Sequence, residues 1–324
     1  MTTSLLAKSP EFTISLDFEL LWGVRDHADR ASYGPNILGG RDAIPRMLDI
    51  FAAHDIRATW ATVGMLFCED RDELLDVAPP EDLRPRYANP KLSSYIYLDE
   101  LGKDEDADPY YFGLSLLRRI QETPGQEIGT HTFSHFYCLE PGATEEAFAA
   151  DLDAARTVAK RRGISLRSIV FPRNQYAANH VQIAAEAGIS VHRANQHAWP
   201  YRAVPGRGQT LLRRAARLAD AHLGLYGTHC YDTVELHNGT ARASAFLRPA
   251  SGMLGRLHSL HLRRILAGMT SAAHQRQGYH LWWHPHNFGA ASEACFDALI
   301  QIAKHFIRLR DHHGMVSQTM ADPA

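Results

Sequence analysis

Residues 11–17, EFTISLD, alternate apolar with polar side chains and end in an acid, the period-two signature of a β-strand. From Gly40 to about His54 the period changes: Ile44, Met47, Leu48 and Phe51 recur at helical spacing, and a short β-forming run, Arg57 to Val63, follows. Strand, helix and strand in succession open a βαβ unit. The alternation resumes downstream with a helix over 112–123, a strand Glu127–Gly129, an amphipathic helix over 144–162, a strand Arg167–Phe171 closed by Pro172, a helix over 177–187 ending at Gly188, and a strand Ile189–His192. A strand Tyr279–Trp283 and a helix Ala291–Arg310 close the chain.

Two stretches interrupt this rhythm. Residues 70–110 are dense in Asp, Glu and Pro around an aromatic patch, Tyr95 to Tyr97, and read as an excursion. Residues 209–277 carry basic helical segments, LLRRAARLADAHL and MLGRLHSLHLRRILAGM, which read as inserted helices whose charged faces are solvated. The pattern predicts an α/β fold: one domain over residues 1–324, a distorted (β/α) barrel with inserted helices and with polar clusters at its strand ends, where such folds place active sites.

Composition narrows the function classes. A formal charge of -2 over 324 residues gives no field for nucleic acid or anionic lipid. No apolar run approaches the ~20 residues of a transmembrane helix, and the first residues lack the basic and apolar regions of a secretory leader. Cys68, Cys138, Cys230 and Cys295 form no CxxC pair, which argues against a disulfide framework or a thiolate zinc site and fits the cytoplasm. The sequence does not fix the oligomeric state.

Histidine carries more information. In Gly129-Thr-His131-Thr-Phe-Ser-His135 two imidazoles stand four apart after a strand, a spacing that on a helical turn lets both grip one divalent ion; buried or surface histidines are the bland alternative. In Ser15-Leu-Asp17-Phe-Glu19 period two puts two carboxylates on one side, one able to ligate and one to act as base, or both merely solvated. Arg173 and Asn174, in Phe-Pro-Arg-Asn-Gln, follow another strand, where an arginine can tether a catalytic carboxylate. In Leu281-Trp-Trp-His284-Pro-His286, a histidine at a strand end can serve as general acid or simply pack beside Trp282 or Trp283.

In this order the four clusters resemble the polysaccharide deacetylase family, the NodB-homology or carbohydrate esterase four group: SLDFE its first motif, GTHTFSH the second, FPRN the third and LWWH the fifth. The resemblance spans roughly residues 11–200 and 279–320. It implies a distorted barrel and a divalent metal, commonly zinc, held by an acid and His131 with His135. It further implies Asp17 as base, Arg173 as its tether and His284 as acid. Trp60 and Thr62, with Trp283, His286 and Asn174, are then candidates to line the substrate site.

The chain departs from the family pattern. The usual Asp pair is Asp17-Phe18 here, so the metal carboxylate is Glu19, favoured by alternation, or Asp17 itself; Pro precedes Arg in the third cluster, and the fourth, VHRANQHAW, lacks an acid. The reading that follows is removal of an N-acyl group, most plausibly acetyl, from an amino sugar or a nucleotide- or lipid-linked sugar precursor in surface-polysaccharide metabolism. Hydrolysis of small cyclic amides or ureides, sometimes without metal, and a degenerate glycan-binding barrel are the alternatives.

Overall fold

The structure, a computed structural model, describes residues 9–250, 257–289 and 292–322; the start of the second basic segment (253–256) and Ala291 lie outside the described residues. The strands are β1 (Glu11–Phe18), β2 (Ala58–Thr62), β3 (Gln126–Thr130), β4 (Ser168–Ile169), β5 (Val191–Ala194), β6 (Thr240–Arg242), β7 (Ala245–Phe246), β8 (Gly278–Trp283) and β9 (Val316–Gln318). The helices are α1 (Arg30–Ala53), α2 (Arg71–Val77), α3 (Leu114–Glu122), α4 (Glu145–Arg161), α5 (Ala178–Glu186), α6 (Leu211–Leu223), α7 (Thr233–His237), α8 (His258–Gln275) and α9 (Ser292–His313).

The sheet runs β6-β5-β4-β3-β2-β1-β8-β7, with β9 beside β1, and all its strand pairs are parallel. Its two ends are one piece of chain. β6 pairs with β5 and β7 with β8, and between them Ala243 N donates to Ala194 O (2.8 Å) while Ser244 N donates to His280 O (2.8 Å). Residues 240–247 thus bridge the two edges and curl the sheet back on itself. The stretch 209–277 is therefore not only an insertion: α6 and α8 are added, but the strand between them belongs to the barrel.

The alternation of β1 has a different meaning from a strand with one wet face. All eight of its residues are buried. Phe12, Ile14, Leu16 and Phe18 point outward to the helices, Phe12 stacking on Phe306 of α9 at 5.5 Å. Thr13, Ser15 and Asp17 point into the barrel, whose interior is polar: Thr13 meets the Tyr231 hydroxyl (3.3 Å), and Ser15 meets His280 Nε2 (2.8 Å) and Arg193 (3.1 Å). At the N-terminal end of the strands Glu127 accepts from Thr59 Oγ1 (2.6 Å), Ser168 Oγ and the Ala321 amide (3.1 Å). These hydrogen bonds offset hydration that the buried groups lose.

Register carries this inside-outside division to neighbouring strands. Trp60 is aligned with Leu16, and so is Trp283. Both indoles therefore lie in the outer apolar layer, each about 6.3 Å from the ring of Phe51 on α1. Helix α1 begins ten residues before the predicted Gly40, at an Asp29 capping box, and runs through Pro35 and Pro45. The glycines and prolines that hid its first turns have a packing role: a Cβ on Gly40 would sit 2.6 Å from the Cα of His286. This close approach presses α1 against the segment after β8.

Burial of His280 in the barrel, with Arg193 beside it, pushes its pKa down to about 3 from an ordinary 6.5. Below pH 6.5 the unfolded chain takes up a proton that the folded barrel refuses until about pH 3, so stability falls as pH falls through that window. The group contributes a slope of up to ~1.4 kcal/mol per pH unit. Denaturant titrations between pH 7 and 4 are expected to show His280→Gln with a shallower loss of stability than the parent. An unchanged slope would mean that His280 does not remain neutral in the fold.

Candidate metal and catalytic centre

The site lies at the C-terminal ends of the strands, where the backbone bends sharply. Leu20, Thr132, His135, Arg173 and Asn174 all have positive φ, between 46° and 63°. Non-glycine residues rarely adopt this region, and such strain gathers where surrounding structure must aim functional side chains. After β1 the chain turns at Leu20 into a short 3-10 turn, Leu20–Gly23, that folds back over Glu19. A Cβ on Gly23 would lie 1.9 Å from the Glu19 Cδ, so only glycine leaves the carboxylate its place.

His131 and His135 follow β3 on an irregular loop rather than on the expected helical turn. Asp151, buried on α4, shapes that loop by accepting from the amides of Phe133 (2.6 Å) and Ser134 (3.1 Å) and from the Ser134 hydroxyl. Burial pushes its carboxyl up to about 6 against the opposing pull of these donors.

The result is convergence on one oxygen. The Nε2 atoms of His131 and His135 lie 3.3 Å and 3.1 Å from the Glu19 Oε2. His131 donates from Nδ1 to the Val170 carbonyl at 2.8 Å, which fixes its ring and turns the Nε2 lone pair toward Glu19. Burial raises the Glu19 carboxyl, but His284, His131 and His135 outweigh it and hold the group well below the usual range. Burial drives His135 down to about 4, so near neutral pH it is an unprotonated donor. One carboxylate and two imidazoles, with ligand atoms within 4.8 Å of one another, form a donor set that fits a divalent ion.

Asp17 sits beside this group with a different partner. Arg193, itself buried, grips it through both guanidinium nitrogens, at 2.6 Å and 2.8 Å. Burial raises the Asp17 carboxyl, and the Arg193 charge and hydrogen bonds, with His131 and His284, together more than reverse this, so it is held ionised. Asn174 Oδ1 accepts from Arg193 Nη2 at 3.0 Å, and the face of Trp282 lies 4.0 Å from the guanidinium. His284, part-exposed, places Nε2 3.6 Å from both Asp17 Oδ2 and Glu19 Oε1. Asp17, Asn174, Trp282 and His284, with Glu19, His131 and His135, border a cleft of about 690 Å³.

The structure thus brings together Asp17, Glu19, His131, His135, Asn174 and His284. Arg173 borders the same cleft but is not the tether of Asp17: it pairs with Asp26 and lies over Tyr137 at 4.3 Å. Trp60 and Trp283 do not line the cleft, because period two turns them to the outer layer; Trp282 takes that place. Thr62 is in register with Phe18 and shares the outward side. His286 is buried behind His284, stacked at 5.0 Å, and burial takes its pKa to about 3. Arg193 was missed because the predicted strand stopped at His192, whereas β5 runs to Ala194 and sends Arg193 inward. The signal was present: an arginine one residue on, in the strand phase that Val191 sets.

A family model for polysaccharide deacetylase matches residues 32–192. Among solved structures, a GH57-type branching enzyme from the archaeon Pyrococcus horikoshii aligns with a TM-score of 0.51 at 14% identity, over 96% of this chain and 69% of its own. A 4-alpha-glucanotransferase from Thermococcus litoralis aligns at 0.51 and 11% identity, over 96% of this chain and 39% of its own. A Mycobacterium smegmatis protein assigned as a polysaccharide deacetylase aligns at 0.49 and 13% identity, over 100% of this chain and 97% of its own. At these identities the first two likenesses speak to the fold alone. No curated protein matches.

Gly23→Ala is expected to displace the Glu19 carboxylate while costing only ~1–3 kcal/mol of stability from overpacking. Zinc affinity measured by calorimetry should fall about 10-fold or more. Unchanged affinity would remove Glu19 from the donor set.

Proposed function

The chain belongs to the polysaccharide deacetylase family, hydrolases of N-acetyl amide bonds, and on that premise we propose that it is a metal-dependent N-deacylase acting on an amino sugar within a surface-polysaccharide precursor. The observation that carries this reading is the division of labour between the two carboxylates. Glu19 faces two imidazole nitrogens, and Asp17 faces a buried guanidinium.

Glu19, His131 and His135 would hold a divalent ion, zinc being the commonest for such a set. When bound, it would polarise the amide carbonyl and acidify water. Arg193 keeps Asp17 ionised and fixes its plane, so the carboxylate is oriented to accept the proton of the attacking water. His284, reachable from solvent and within 3.6 Å of Asp17, gives a proton to the departing amine. Asn174 positions Arg193, and Trp282 offers an apolar face on which a sugar ring can rest. The buried carboxylate-imidazole set favours this chemistry over metal-free cleavage of a ureide and over a binding-only barrel, which needs neither base nor ligand set.

Four free cysteines, three of them buried, support action in the reducing cytoplasm. Among the described residues, no helix is long and apolar enough to cross a membrane.

Elemental analysis and amine-release assays on acetamido sugars test the assignment. The parent is expected to carry about one equivalent of metal, His131→Ala and Glu19→Gln to lose it, and Asp17→Asn to keep it while losing about 10²–10⁴-fold in rate. Metal lost in Asp17→Asn but kept in Glu19→Gln would exchange the two roles. A protein that binds no metal under loading conditions would end the reading.

A further inference from the structure

Beside the cleft lies a second cavity of about 190 Å³, whose lining holds five arginines and no carboxylate. The two spaces share Arg173, Asn174, Gln209, Arg217 and Trp282. Whatever enters the cleft therefore has a basic chamber within reach. Its walls come from α6 (Arg217), α8 (Arg264), the 198–203 loop (Arg202) and the end of the closing strand (Arg248), so it is largely a product of the 209–277 region.

Structural pairing accounts for only two of these five charges. Arg173 is matched by Asp26, and Arg264 shares Asp220 at 3.4 Å with Tyr201 and His229. Among the described residues no acidic side chain pairs with Arg202, Arg217 or Arg248, and the Nε atoms of Arg248 and Arg264 are buried without a partner. Burial lowers the proton affinity of Arg217 and Arg248, and Arg217 is further opposed by Arg213, Arg214 and Arg248. Arg217 and Arg248, half-buried and without an acidic partner, raise the energy of the empty chamber and favour an anion entering it.

The number of donors indicates the kind of anion. One carboxylate is satisfied by one guanidinium fork, whereas a phosphate or diphosphate presents enough oxygens for several forks from different directions. Phe246 and Trp282, 4.6 Å apart on the same wall, supply an apolar surface beside it.

We propose that this arginine chamber binds the phosphate or diphosphate of a phosphorylated amino sugar, holding the substrate's N-acyl group in the adjoining cleft. The inference rests on the deacylase reading for the acyl group, but the anion site stands on its own lining. A nucleotide-diphosphate sugar and a lipid-diphosphate sugar present the same chemistry to it.

Calorimetry with inorganic pyrophosphate on the full chain tests the chamber without requiring turnover. Binding is expected in the parent and equally in His131→Ala, to weaken with added salt, and to fall at least about tenfold in Arg217→Gln and Arg248→Gln. Arg248→Lys, which keeps the charge but loses the fork, should fall between, with melting temperatures of all variants close to the parent's. Pyrophosphate binding that disappears in His131→Ala but survives both glutamine variants would place the anion at the metal set and overturn the proposal. So would no binding at all. Amine-release assays then compare N-acetylglucosamine with UDP-N-acetylglucosamine and with a short-chain prenyl-diphosphate N-acetylglucosamine. A lower KM for either diphosphate, abolished in Arg248→Gln, supports the proposal and identifies the source. Equal KM for all three overturns it. Pyrophosphate binding with no turnover of any sugar would sink the deacylase reading while leaving the anion site standing.

Discussion

The Arg193–Asp17 ion pair is the interaction on which the centre depends. Two full charges lie inside a barrel whose other face is wrapped by helices, and neither could be there alone: an unpaired buried charge costs several kcal/mol. The pair is kept because both oxygens meet both terminal nitrogens, and because Asn174, Ser15 and the face of Trp282 supply further contacts to the guanidinium. Once Asp17 is committed to Arg193, it does not join the imidazoles. Glu19, two residues on and past the strand end, is left to do so.

The polar interior follows from the same constraint. A parallel barrel is ordinarily filled with branched apolar side chains. Here β1 sends Thr13, Ser15 and Asp17 inward, and the facing strands answer with Thr59, Glu127, Ser168, Arg193 and His280. The apolar stabilisation comes instead from the outer layer, where Phe12, Leu16, Trp60 and Trp283 pack under the helices. Polar filling at one end of the barrel and open chemistry at the other form one column, so the site is built on strand ends already fixed by hydrogen bonds below them.

A basic lining is added from outside this column. The segment between α6 and α8 closes the barrel and brings Arg248 to a basic chamber beside the cleft, whose other arginines come from α6, α8, the 198–203 loop and Arg173. A shared fold with a branching enzyme and a glucanotransferase, at 14% and 11% identity, says nothing of substrate.

Periodicity in the sequence determined the α/β class, the strand and helix order outside β6, β7 and β9, and the placing of Asp17, Glu19, His131, His135 and His284 at or just after strand ends, because local spacing is a property of the chain itself. Three things belonged to tertiary structure. Which face of each strand is the barrel interior decided between Trp282 and Trp283, since both faces are buried and hydrophobicity alone cannot choose. Which arginine meets Asp17 depended on a two-residue extension of β5, stabilised by pairing with β6: the strand phase marks Arg193 as inward, but only that pairing carries the strand so far. The basic face of α6 reads as solvated in isolation, because charge on a helix faces water unless another element covers it. It became a chamber wall only when the closing strand, the 198–203 loop and α8 folded against it.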